Sequence, residues 1–270
     1  MTGPIIEIKD VNFGYRKHAI LEGINLAIKS GDYLGIIGPN GGGKTTLLKL
    51  MLGLMKPWSG KILYNFGSSN KRAHMGYIPQ FVNFDKNFPL NLQDVVLMGK
   101  LGERGLFSNY SKEDHKDADA ALEKVNLIKY KNSPINELSG GQLQRVLIAR
   151  AIVSNPDIII LDEPTASIDM ESKSILRDLL LLFNRRIPIV IVTHDIMAIS
   201  SDVKQIACVN RRLYYHEEGK LTQDAIDETY ACPVDIISHG LAHRVLREHG
   251  KPHGHGCLHD LEDDSGKGDV

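Results

Sequence analysis

The sequence predicts an α/β fold, a mostly parallel sheet with helices on both faces and a helical insert. Three observations lead there. Asp157–Leu161 (DIIIL) and Ile187–Val192 (IPIVIV) are continuous apolar runs, the pattern of strands buried on both faces. A glycine-rich loop joins the short apolar run Tyr33–Ile37 to a segment with helical spacing of apolar residues, Thr45–Leu54. Strand-like and helix-like segments alternate along the chain until a long, mostly helical stretch, residues 91–153, interrupts them.

In chain order, Ile5–Val11 and Ala19–Ile28 are expected strands, and Gly31-Asp32 is a turn. Tyr33–Ile37 is a short buried strand, followed by the loop Gly38–Gly43 and the helix over Thr45–Leu54. Lys61–Tyr64 and Met75–Ile78 are further strands. Within the helical stretch, Ser111 followed by Glu113 and Asp114 is a helix start, and Ala118–Val125 is amphipathic. Asp157–Leu161, a helix over Glu171–Asn184 and Ile187–Val192 complete the pattern, which weakens after Arg211. From Gly250 the chain is polar, His-rich and then acidic, a composition expected to stay disordered.

The 270 residues suffice for one large domain or a domain with an appendage, and 42% hydrophobic against 24% charged residues is globular. A net charge of −1 lacks the basic excess of a nucleic-acid binder. Cys208, Cys232 and Cys257 are too widely spaced for a disulfide framework, which favours a reducing compartment. The N-terminus lacks a signal-peptide pattern. No apolar run approaches the roughly 20 residues of a membrane helix. The chain is therefore expected to act on a membrane, if at all, through a partner.

Gly38-Pro39-Asn40-Gly41-Gly42-Gly43-Lys44-Thr45 fits G-x-x-x-x-G-K-[ST]. Its glycines let successive backbone N–H groups curl toward phosphate oxygens, and the following helix turns its positive end to the anion. Lys44 would reach the β- and γ-phosphates, Thr45 would offer a hydroxyl to Mg²⁺, and Thr46 is a further phosphate contact. Ile158–Leu161 runs into Asp162 and Glu163. Asp162 sits at the carboxyl end of the strand, where it can hold a Mg²⁺ shell. Strand alternation is expected to turn Glu163 the other way, as a carboxylate that polarises the water attacking the γ-phosphate.

Between these motifs stands Leu138-Ser139-Gly140-Gly141-Gln142, which resembles the signature of ATP-binding cassette (ABC) ATPases. The resemblance covers roughly Ile5 to Arg211 and implies a P-loop NTPase (RecA-like) core with an N-terminal antiparallel β subdomain. Other marks follow in family order. Tyr15 resembles the aromatic that stacks on adenine, and Gln80 the glutamine that contacts Mg²⁺ and water and faces the membrane partner. Ala166-Ser167-Ile168-Asp169 resembles the loop that crosses the dimer interface, and His194 the histidine on the γ-phosphate. Ile168 replaces the commoner leucine, and the phosphate loop carries three consecutive glycines; neither change removes a functional group.

What the resemblance implies is a homodimer using ATP and Mg²⁺, with Ser139, Gly140, Gly141 and Gln142 of one copy closing on the ATP of the other. It also implies integral membrane permease subunits, docked at about residues 81–137, and an indirect extracytoplasmic metal-binding protein. The chain is then peripheral, on the cytoplasmic face of the cell membrane. The corresponding division is an ATP-binding core at 1–90 and 146–215, a helical signature subdomain at 91–145, an extension at 216–249 and the tail at 250–270.

Segments Ala207–Leu213, Cys232–Gly240 and His243–Leu246 resemble cassettes of the zinc/manganese uptake branch. That implies import of a transition metal, zinc first and then manganese or iron. The tail places His249, His253, His255, Cys257 and His259 close together. They are candidate metal ligands, although the spacing matches no closed zinc site and a solvated tail with incidental histidines is the other reading. A cassette for another solute would share the same core. A soluble, non-transport cassette ATPase usually carries two cassettes or a long coiled coil, for which residues 80–138 leave no room. A metal-storage protein leaves the ATPase motifs unexplained.

Overall fold

The structure is a computed structural model describing residues 3–66, 74–80, 89–103, 109–165, 168–193, 203–217, 234–239 and 241–246. At the N-terminus β1 (Ile6–Tyr15) pairs antiparallel with β2 (His18–Ile28) on one side and with β4 (Ser59–Tyr64) on the other. The main sheet has β3 (Tyr33–Ile37) at its heart. Its order is β5 (Met75–Ile78), β6 (Ile158–Asp162), β7 (Ile189–Thr193), β3, β8 (Gln205–Asn210), β9 (Arg212–Glu217). Every neighbouring pair is parallel except β8 with β9. A separate antiparallel pair, β10 (Val234–His239) and β11 (Leu241–Leu246), lies in the C-terminal extension.

Strand alternation divides the core. From β6 and β7, Ile158, Ile160, Val190 and Val192 face one layer, which holds Leu47, Leu48 and Leu50 of α1 (Lys44–Met51) and the inner face of the antiparallel sheet. Ile159, Leu161, Ile189 and Ile191 face the other layer. That layer holds α2 (Leu92–Leu97), α3 (Lys112–Lys124), α4 (Gly140–Ile152) and α5 (Met170–Asn184). A continuous apolar strand is the only kind that serves both layers, which is why DIIIL and IPIVIV carry no polar alternation.

The expected elements form, with local differences. Ser111 caps α3, accepting from the Asp114 N–H while the Asp114 carboxylate accepts from the Ser111 N–H. Helix α1 stops at Met51 rather than at Leu54, because Gly53 turns at φ 69° and the Leu54 N–H reaches back to the Lys49 carbonyl. Strand β8 was not expected, and β9 continues past the point where the pattern weakens.

Candidate functional site

The segments that follow the carboxyl ends of β3, β5 and β6 line a cleft of about 530 Å³, a size suited to a nucleotide-sized ligand. Tyr15, Asn40, Gly41, Gly43, Lys44, Thr45, Thr46, Gln80 and Glu163 all line it. Gly38, Pro39 and Gly42 complete the loop between β3 and α1. Gly43 stands at the N-cap of α1 with φ 99°, and an added Cβ would lie 2.7 Å from Leu21 Cδ2, so glycine is required twice over. No side chain caps this helix end, and its first N–H groups remain available to an anion.

Lys44 is only 5% exposed, and its Nζ donates to the carbonyls of Gly38 and Pro39, both at 3.0 Å. Burial pushes its pKa down, and the carboxylates of Glu163 and Asp162 push it back up. At the other end of the cleft, Tyr15 offers an exposed ring. Phe13 packs edge-on against that ring at 5.3 Å, and the Tyr15 hydroxyl donates to Met55 Sδ at 3.6 Å. Ile20 also lines the cleft and was missed, since an apolar residue on a strand carries no chemical signal.

Asp162 and Glu163 differ in kind. Asp162 is 2% exposed and takes a hydrogen bond from the Thr45 hydroxyl, while its Oδ1 has no hydrogen-bond partner. Burial raises its pKa most; Glu163 raises it further, and Thr45, Lys44 and Lys49 oppose the rise. A buried, unsatisfied carboxylate oxygen beside a threonine hydroxyl is the donor set a hard divalent cation takes. Glu163 stands one residue past the end of β6, so strand alternation does not set its direction. Its backbone adopts φ 47°, and its N–H donates to the Val192 carbonyl at 2.7 Å. This left-handed residue returns the side chain to the cleft, where Oε2 accepts from Gln80 Nε2 at 2.8 Å.

Ser139, Gly140, Gly141 and Gln142 do not line the cleft. Ser139 caps α4, its Oγ accepting from the Gln142 N–H at 3.2 Å while the Gln142 side chain accepts from the Ser139 N–H at 2.9 Å. As acceptor there, the Ser139 hydroxyl keeps its proton for another acceptor. Gly141 is buried against α5: an added Cβ would stand 2.0 Å from Ser172 Oγ. Ser172 in turn donates to Asp169 twice, from its N–H at 2.8 Å and its hydroxyl at 2.9 Å, which holds the Asp169 carboxyl below its ordinary pKa. Helix α4 and Asp169 are thus braced on one serine. Gly141→Ala is expected to cut ATP turnover at least about tenfold and to destabilise the fold by about 1–3 kcal/mol, because the methyl group must displace Ser172. Phosphate release and thermal unfolding of the variant check this.

His194 lies outside the described residues, as do His249, His253, His255, Cys257 and His259. Among the described residues no group of three or more His, Cys, Asp or Glu side chains is arranged to hold a metal ion. Nor, among them, is any helix long and apolar enough to cross a membrane.

Comparison with known proteins places this geometry in context. The family profile described as ABC transporter matches residues 21–166. The zinc uptake system ATP-binding protein ZurA of Listeria monocytogenes is 39% identical over 218 residues, 78% of this chain and 84% of that one. Among solved structures, one in an inward-facing conformation, assigned to the metal-chelate type of ABC transporter, superposes with a TM-score of 0.79 at 28% identity, covering 91% of this chain and 98% of that one. The dimeric, post-hydrolysis state of the ATP-binding cassette MJ0796, bound to ADP and Pi, superposes with a TM-score of 0.63 at 28% identity, covering 80% and 100%.

Proposed function

The chain belongs to the ABC transporter ATPase family, and from that premise we propose that it powers import of a transition-metal ion, zinc foremost. The observation that carries the metal is kinship with ZurA, extending over 218 residues. The resemblance of Cys232–Gly240 to metal-uptake cassettes supports it.

At the cleft, Tyr15 stacks on the nucleobase and the phosphate loop wraps the triphosphate. Lys44 exchanges its loop carbonyls for phosphate oxygens. Glu163, oriented by Gln80, takes a proton from the water that attacks the γ-phosphorus, and the bond to ADP breaks as the new P–O bond forms. His194 follows β7 directly in sequence, and its proposed role is to donate to the γ-phosphate. Thr45, Asp162 and Gln80 fit Mg²⁺, which when bound supplies charge neutralisation on the phosphates. The orphaned Asp162 Oδ1 is the observation that favours this.

Because the signature lies away from the cleft, a second copy completes the site. Ser139 and the N–H groups at the start of α4 then face the partner's γ-phosphate, with Asp169 at the seam. Two bound ATP molecules favour the closed dimer and hydrolysis releases it, a population shift that moves permease subunits at the cytoplasmic face of the membrane.

The test is transport-coupled ATPase activity. The chain would be co-purified with the membrane protein encoded beside it, reconstituted in liposomes, and challenged with Zn²⁺, Mn²⁺, Fe²⁺ and histidine, each delivered with its binding protein. Zn²⁺ is expected to stimulate phosphate release several-fold, and Glu163→Gln to abolish the stimulation. Stimulation by histidine with no response to any metal would leave the ATPase intact and overturn metal import.

A further inference from the structure

The phosphate loop has a rear wall made by the turn between β8 and β9. The Val209 carbonyl oxygen lies where a side chain on the loop would be: 2.0 Å from a Cβ built on Gly38 and 2.8 Å from one built on Gly42. The Arg211 main-chain N–H donates to the Gly42 carbonyl at 3.2 Å. Arg211 does so from φ 59°, a left-handed backbone uncommon outside glycine and asparagine. The turn is secured from the other side as well. Its Arg211 carbonyl accepts from the Glu22 N–H at 2.8 Å, and the Arg211 guanidinium pairs with Glu22 Oε1 at 3.2 Å.

A peptide unit is planar and trans, so its C=O and the following N–H point in opposite directions. Anchoring the Gly42 carbonyl on the turn directs the Gly43 N–H away from it, to the cleft side of the loop. Gly43 is the capless N-terminus of α1 and lines the cleft. Resting on the reading that this loop holds the triphosphate, we propose that Arg211 is a positioning residue for phosphate binding. It acts through its left-handed main chain, which holds the 42–43 peptide with its donor toward the nucleotide. The guanidinium–Glu22 pair is exposed and secondary, since such pairs contribute little.

The proposal separates backbone from side chain, and so does its test. Glycine and asparagine keep φ near +60°, whereas a β-branched residue is driven out of it. In the full chain, Arg211→Val is expected to raise KM for ATP about five- to tenfold, the effect of one misdirected hydrogen bond, with kcat within about twofold. Arg211→Gly and Arg211→Asn, which also lack the guanidinium, are expected to keep KM within about twofold of the parent. A lowered melting temperature with unchanged KM in Arg211→Val would make the turn merely structural and overturn the proposal. A KM raised equally in Arg211→Gly would assign the effect to the guanidinium and overturn it too. Lys44→Ala distinguishes the levels. If it also binds ATP normally, the loop is not the phosphate site and the proposal falls with that reading; if only the Arg211 series is flat, the proposal falls alone.

Discussion

Glu163→Gln is expected to keep ATP affinity within about twofold and to lower kcat by roughly 10²- to 10⁴-fold, the contribution of a positioned general base. Two adjacent carboxylates could claim the role, and their surroundings separate them. Asp162 is 2% exposed and already engaged by the Thr45 hydroxyl, and burial favours its neutral form. Glu163 lines the cleft and takes a hydrogen bond from Gln80 at 2.8 Å, which fixes its direction. Glutamine preserves the shape of the side chain and can still accept from Gln80, and the main-chain bond from the residue 163 N–H to Val192 is untouched. What the substitution removes is basicity. Binding without turnover should accumulate an ATP-bound dimer, visible by gel filtration, while phosphate release and equilibrium ATP binding give the two constants. Turnover within about threefold of the parent would remove Glu163 from the role of base, since a general base contributes far more.

The site was legible in the sequence wherever its chemistry is local. A loop that must curl its N–H groups around an anion needs left-handed glycines two positions apart, Gly41 and Gly43, and the cation and hydroxyl must follow at once, so one octapeptide carries the signal. Asp162 was legible because the apolar run before it has a definite end. The direction of Glu163 was less legible, because alternation holds only while the backbone stays extended, and the chain leaves the strand there at φ 47°. Nothing in the residue type announces that turn. Strand β8 was missed although Ile206–Val209 is a short buried apolar run: Ala207 and Cys208 at its centre lack the β-branched character of the isoleucines in DIIIL, and both are fully buried between β3 and β9. The wall behind the phosphate loop is a contact between Val209 and Gly38, far apart in the chain, and it exists only once β8 pairs with β3.

Lys44→Ala should fail in the opposite way to Glu163→Gln, through affinity rather than turnover. Hydrogen bonds to charged groups contribute about 1.5–3 kcal/mol, so ATP binding should weaken by roughly 10- to 100-fold. The loss should lie toward the upper end. The charged form of the Lys44 ammonium is stabilised by Glu163, which lines the cleft with it, and by Asp162, buried beside it. Without it, the charge of two nearby carboxylates acts on the triphosphate with one compensating cation fewer. The fold should tolerate the change, because the partners Lys44 leaves behind are the Gly38 and Pro39 carbonyls of a loop that borders the open cleft. Arginine should not rescue it: a planar guanidinium needs more room than a side chain that is 5% exposed and already seated among two carbonyls can offer. Equilibrium ATP binding and thermal unfolding, measured on both lysine variants, separate the outcomes. Weak binding with an unchanged melting temperature assigns Lys44 to the phosphates. Unchanged binding would remove it from them, and with it the reading of the loop as the nucleotide site.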